Sequence, residues 1–289
     1  MGIRIQRMKS IKKWVWILIL SLLVSAPGCS GDSSKKAEET KIQVFIAASL
    51  NTVMTDLSKM YEKEHPNVRI VCNADSSGTL LNQIEEGYAC DIFFSAAQEQ
   101  MDQLEEGGLL KAGTRADVVN NQLAVVTGKD SKTSVQGLNT LERAESIALA
   151  GESVPAGRYT RQALITLGIL REAEKEAAEI TTQEVSKALN NVEISEQDNV
   201  SKVLFAVAEG SCEVGTVYYS DIYGYENRLD IIEAVSHDLT GDVRYPAARV
   251  INKEADKAQN DAADDFLKYI LSEEAKGVFE SYYFDTDVE

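Results

Sequence analysis

The residues of this chain best placed to do chemistry are hydroxyls and bare amides set between strands and helices. Ser49 follows the run Val44-Phe45-Ile46-Ala47-Ala48, whose β-branched and aromatic start predicts a buried strand. Apolar residues at Val53, Leu57 and Tyr61, with Met54 and Met60 alongside, predict a helix directly after it. Ser49 therefore sits between the carboxyl end of a strand and the amino end of a helix, where open α/β sheets bind ligands. The first turn of a helix offers N–H groups without intrahelical partners and partial positive charge, both suited to an anion.

The device recurs. Val68, Ile70 and Cys72 alternate as a strand, then Ser76-Ser77-Gly78-Thr79 leads to Leu80, Leu81 and Ile84 at helical spacing. Ile147 to Ala150 runs through Gly151 and Ser153 to Pro155-Ala156-Gly157, and a helix follows through Tyr159, Ala163, Leu164 and Leu167. Pro155 suits a helix entry. A short strand at Val192 to Ile194 precedes Asp198-Asn199, a capping pair for a helix through Val200, Val203, Leu204 and Val207. Further strands are predicted at Asp91–Ser95, Leu123–Thr127, Val214–Tyr218, Ile231–Val235 and Val243–Val250. The last contains Tyr245-Pro246, which predicts an edge or bulged position. Residues 170–190 are rich in charge and alanine and read as exposed helix. Strands alternating with helices throughout predict α/β sheets.

Each candidate has a plainer reading. Ser49 and Ser77 are favoured helix caps in any case. Tyr218, at a strand end, suits a packed aromatic with its hydroxyl at the surface. A serine hydrolase would need Ser49 with His65 or His237 and an aspartate. The chain has 2 histidines, and His65 falls at the far end of the first helix, away from Ser49. No nucleophile elbow, zinc-protease motif or phosphate loop is present. No catalytic residue is assigned.

The totals narrow the field. The net charge of −17 argues against nucleic acid and against an anionic membrane face. Residues 1–28 carry Arg4, Arg7, Lys9, Lys12 and Lys13, no acid, and an apolar run from Trp14 to Val24. That is the pattern of an export signal, too short for a membrane span. Small residues before Cys29 resemble a bacterial lipoprotein cleavage site, so Cys29 is the expected lipidation site. Residues 29–40 read as a polar tether. Cys72, Cys90 and Cys212 have no metal-site spacing and are expected as free thiols.

Taken in order, the segments Val44–Leu50, Ser76-Ser77-Gly78-Thr79-Leu80, Asp91–Ala96, Val154-Pro155-Ala156-Gly157, Val217-Tyr218 with Ser220-Asp221, and Tyr245-Pro246 resemble the molybdate-binding proteins of bacterial ABC transporters. The likeness runs along nearly all of residues 41–284. It implies an α/β, two-lobed periplasmic-binding-protein-like fold of class II, each lobe a mixed sheet flanked by helices, joined by two crossover strands. Lobe one is expected at 41–122 plus 229–289 and lobe two at 123–228. The resemblance implies molybdate or tungstate as ligand, held by hydroxyl and backbone donors of Ser49 and Ser77, backbone N–H groups of Ala156 and Val200, and the Tyr218 phenol. Glu184-Val185 offers a second match to the Val200 motif; Val200 is preferred for its distance to Tyr218 and its Asp-Asn cap. Molybdenum enters only within the oxyanion, and no cofactor is implied. The implied partners are a membrane permease and its ATPase, with the chain a lipid-anchored monomer on the outer face of the cytoplasmic membrane or in the periplasm. A sulfate-binding protein is the near alternative.

The physics is compatible. Arg158 is the one cation at the four junctions, so neutral donors must hold a dianion. A hydrogen bond to a charged group contributes roughly 1.5–3 kcal/mol and a helix start ~0.3–1 kcal/mol. Several of each reach the ~8 kcal/mol of micromolar binding. Such donors favour a fully deprotonated oxyanion, which predicts weak phosphate binding.

Overall fold

The computed structural model describes residues 39–171 and 175–288. The chain runs β1 (Thr40–Ala47), α1 (Asn51–Glu64), β2 (Val68–Asp75), α2 (Ser77–Glu85), β3 (Ile92–Phe94), α3 (Gln98–Glu106) and β4 (Ala116–Asn121). It continues through β5 (Leu123–Gly128), β6 (Ser146–Ala150), α4 (Pro155–Thr166), α5 (Thr182–Ala188), β7 (Glu193–Gln197), α6 (Val200–Ala208), β8 (Val214–Tyr218) and β9 (Leu229–Ala234). It ends with α7 (His237–Thr240), β10 (Val243–Arg249), α8 (Lys257–Ile270) and α9 (Glu273–Ser281).

Two five-stranded mixed sheets result, in the orders β2-β1-β3-β10-β4 and β7-β6-β8-β5-β9. The two orders correspond strand for strand. In each, a central strand runs parallel to two neighbours, β1 with β2 and β3, β6 with β7 and β8. In each, the next strand is antiparallel, β10 against β3 and β5 against β8. Ile42, Val44 and Ile46 on one face of β1 and Phe45 and Ala47 on the other are buried, as expected for a strand covered on both faces. Val53, Met54, Leu57 and Tyr61 of α1 form the buried stripe, and the Tyr61 hydroxyl donates to Asp265 of α8 at 2.8 Å.

The lobes meet at two crossovers. Gln122 alone separates β4 from β5, and residues 235–242 lead from β9 back to β10. The two connections are tied: Gln122 Nε2 donates to the Val235 carbonyl at 3.0 Å, and Val235 N–H donates to Leu123 O at 2.8 Å.

Two expectations change, and a third, the edge or bulged position of Tyr245-Pro246, is met by its bulged alternative. The strand at Leu229 pairs with β5 in the second sheet, so the chain re-enters the first sheet only with β10; alternation at 229–235 marks a strand but not its sheet. Tyr245-Pro246 is not at an edge, because β10 lies between β3 and β4, but the register does shift there. Proline's missing N–H is thus absorbed by a bulge. Residues 170–190 do not form one exposed helix. A 3-10 turn at Ala177–Glu179 precedes α5, Thr181 and Glu184 cap each other, and Ile180, Val185 and Leu189 are buried.

The signal, the Cys29 site and residues 29–38 of the tether lie outside the described residues, while Thr40 already belongs to β1. Cys72, Cys90 and Cys212 are free thiols. Among the described residues, no helix is long and apolar enough to cross a membrane.

Candidate functional site

The four strand–helix junctions converge. Ser49, Ser77, Ala156, Val200 and Tyr218 line one small cavity between the lobes, together with Ala47, Ala48, Ser76, Ala96, Val154 and Pro155. The space open to the centre of a water-sized sphere is about 10 Å³. Organic ligands occupy pockets of roughly 300–1,000 Å³, so this cavity excludes a ligand of that size. No charged side chain is in its wall. The rival Val185 sits in the core of the second lobe.

Each hydroxyl has an assignable proton. Asn121 Oδ1 accepts from Gln122 N–H at 2.8 Å, which fixes the amide orientation. Its Nδ2 then donates to Ser220 Oγ at 2.8 Å and to Tyr245 Oη at 3.2 Å. The Tyr245 phenol, which accepts from Asn121, lies 3.0 Å from Ser49 Oγ. Donation from Tyr245 to Ser49 leaves the Ser49 proton for the cavity. At the second junction the cap is Ser76, whose Oγ accepts from Thr79 N–H at 3.1 Å. Ser77 is therefore free of capping. Its Oγ accepts from Ala96 N–H at 2.9 Å, and its proton too is left over.

Tyr218 completes the set. It is 1 % exposed, and its hydroxyl is buried without a hydrogen-bond partner. A buried hydroxyl left unpaired costs about 1–3 kcal/mol, which a partner entering the cavity would recover. Burial pushes the Tyr218 and Tyr245 phenols well above their ordinary range, so both remain protonated donors.

Ala156 and Val200 contribute backbone. They are the second residue of α4 and the first of α6, where the helix provides no acceptor for their N–H groups. Asn199 caps α6 by accepting from Lys202 N–H at 3.0 Å. Its Nδ2 reaches across the cleft to Asp75 Oδ1 at 3.2 Å.

Arg158 does not enter the cavity wall. Its guanidinium pairs across the cleft with Glu99 of α3; the acid near it in sequence, Glu152, lies 3.9 Å from Arg161 instead. Arg161 is fully buried. It donates to Ile180 O at 2.6 Å, to Ala150 O and Gly157 O at 2.9 Å each, and to Thr182 Oγ1 at 2.9 Å. It thereby fixes the end of β6 against the start of α4. Asp221, beside the site, accepts from Tyr218 N–H at 2.9 Å, and burial raises its carboxyl to about 7.

The serine-hydrolase arrangement does not form. The partner of Ser49 is Tyr245. His65 stacks on Tyr61 at the far end of α1, and His237 Nε2 contacts the Asn121 carbonyl at 3.0 Å. No cluster of metal-binding side chains is present among the described residues.

Residues 42–285 match the family model described as bacterial extracellular solute-binding protein. The chain belongs to this family. It is 29% identical over 276 residues, 94% of this chain and 98% of the relative, to the Bacillus subtilis protein named "Putative ABC transporter substrate-binding lipoprotein YvgL". It is 31% identical over 257 residues to the Escherichia coli molybdate-binding protein ModA, covering 86% of this chain and 90% of that one. The solved periplasmic molybdate-binding protein of Azotobacter vinelandii superposes with a TM-score of 0.68 at 20% identity, over 84% of this chain and 98% of that one. This solute-binding protein thus has the two-lobed fold of periplasmic binding proteins, with its cavity where the lobes face each other.

Proposed function

We propose that this protein captures molybdate or tungstate between its lobes and delivers it to the permease of an ABC transporter. The single observation that carries the reading is the set of Ser49, Ser77 and Tyr218 hydroxyls, each with a proton to give, around a wall without charged side chains. The names of the relatives add to it. Three charge-assisted hydroxyl bonds at roughly 1.5–3 kcal/mol each, with the first turns of α1, α2, α4 and α6 at ~0.3–1 kcal/mol each, are commensurate with micromolar capture, about 8 kcal/mol.

The same donor set disfavours phosphate. A protonated oxyanion must donate a hydrogen bond of its own. Ser49 and Ser77 already accept from Tyr245 and from Ala96 N–H, and no carboxylate is in the wall, so such a proton has only neutral hydroxyl oxygens such as that of Tyr218 to go to. Sulfate satisfies the same donors, and is the second reading.

Thermal unfolding with each oxyanion in turn tests the proposal, because a ligand bound by the folded state alone raises its stability. A shift with molybdate and tungstate, and none with phosphate, is expected. We further propose that Cys29 is lipidated after removal of residues 1–28, anchoring a monomer on the outer face of the cytoplasmic membrane. Mass spectrometry of the purified protein reads the lipid, and Cys29→Ala releases the chain from the membrane.

A further inference from the structure

We propose that Gly78 sets how closely the two lobes can shut over the ligand, and that its missing side chain is required for capture rather than for folding. The inference rests on the oxyanion reading of the cavity given above.

Gly78 is the second residue of α2, next to Ser77. A Cβ at this position would lie 2.5 Å from the Ser153 carbonyl oxygen and 3.6 Å from the Ser153 Cβ. Ser153 belongs to the other lobe, in the turn that leads from β6 into α4. The obstacle is backbone, and it is pinned. Val154 N–H donates to Gly151 O at 3.1 Å, and Gly151 N–H donates to Gln197 O of β7 at 3.0 Å. Pro155 then stiffens the entry to α4. The turn cannot retreat by the distance a methyl group needs without giving up these bonds.

Its own backbone conformation does not ask for glycine here. Gly78 is not among the residues with positive φ, and the three nearest heavy atoms to its Cβ position all belong to Ser153. Within a helix, glycine is less favourable than alanine. The requirement therefore comes from across the cleft, and it exists only when the lobes are together.

Other contacts bridge the same gap. Asn199 donates to Asp75 at 3.2 Å, Ser201 Oγ reaches the Ala48 carbonyl at 3.5 Å, and Arg158 pairs with Glu99. These are polar contacts between flexible side chains or from side chain to backbone, and they tolerate small shifts. The approach of Gly78 to Ser153 is a steric limit. A methyl group at 78 raises the free energy of the shut form alone, so the fraction able to bind falls, and apparent affinity falls with it.

The test is Gly78→Ala, measured with molybdate by calorimetric titration, by thermal unfolding without ligand, and by small-angle X-ray scattering with saturating molybdate. The expected result is affinity weaker by on the order of tenfold or more, ligand-free unfolding temperature equal to wild type or higher, and less compaction on adding ligand. Unchanged affinity and compaction overturn the proposal. So does a loss of affinity that comes with a lower ligand-free unfolding temperature, since that marks a folding role. A wild-type protein that binds none of molybdate, tungstate or sulfate overturns the oxyanion reading itself; wild-type binding with an equally good variant overturns the role of Gly78 alone.

Discussion

The phenol of Tyr245 stands 3.0 Å from the Ser49 hydroxyl and, with its acceptor side occupied by Asn121, passes its one proton to Ser49. Tyr245 is on the returning strand β10 and Asn121 at the end of β4, just before the first crossover. Asn121 also donates to Ser220 of the second lobe. The direction of a single O–H bond at the cleft is thus set by residues far apart in sequence, through a network that spans both lobes.

Tyr218→Phe separates binding from folding. The variant loses a charge-assisted donor, so molybdate affinity should fall by about 1.5–3 kcal/mol. It also removes a buried hydroxyl that has no partner, so ligand-free stability should hold or rise by up to ~1 kcal/mol. Calorimetry and urea unfolding read the two effects. A fall in both places the phenol in the fold instead of the site.

Ser77→Ala should behave differently. Binding should again weaken by roughly 1–3 kcal/mol. Here stability should fall as well, by about 1 kcal/mol, because Ala96 N–H loses the oxygen it donates to at 2.9 Å. An unchanged dissociation constant removes Ser77 from the site.

Asp221 makes stability depend on pH. Its carboxyl is raised by burial from an ordinary 3.8 to about 7 in the folded protein. The native state therefore holds a proton that the unfolded chain has released. The contribution of this group should be greatest below pH ~4, decline by at most about 1.4 kcal/mol per pH unit up to pH ~7, and fall no further above that. Asp221→Asn keeps an acceptor for Tyr218 N–H and should flatten the decline. Urea unfolding of both proteins across pH 4–8 checks it; parallel curves would contradict the assignment.

Arg161→Met tests the support beneath α4. Its loss removes four donations, to the carbonyls of Ile180, Ala150 and Gly157 and to the Thr182 hydroxyl. Unfolding free energy should drop by roughly 3 kcal/mol or more. Affinity should fall too, since Ala156 occupies the turn that Arg161 fixes. A change below about 1 kcal/mol in unfolding would mean those acceptors find other partners.

Much of this was legible in the chain. Periods of two and of 3.6 marked most strands and helices, and the four strand–helix junctions that face one cavity were visible as local patterns. What stayed hidden depends on distant partners. Strand β4, Ala-Asp-Val-Val-Asn-Asn, has no clean alternation to mark it as a strand, though it carries Asn121. Ser76 and Ser77 are equivalent caps on paper; only the bonds from Thr79 and Ala96 tell them apart. No local pattern singles out Arg161 or Arg249, yet both are almost wholly buried, each satisfied by carbonyls that only the fold brings near. The strand at Leu229 could be read as a strand, but its sheet is decided by pairing with β5.

The central claim is that uncharged donors from both lobes hold a fully deprotonated tetrahedral dianion. Calorimetric titration of the protein with molybdate, tungstate, sulfate and phosphate under one buffer tests it most directly. Dissociation constants for molybdate and tungstate of about a micromolar or tighter are expected, with phosphate binding weakly or not at all. Phosphate binding as tightly as molybdate, or no heat with any of the four, would contradict it.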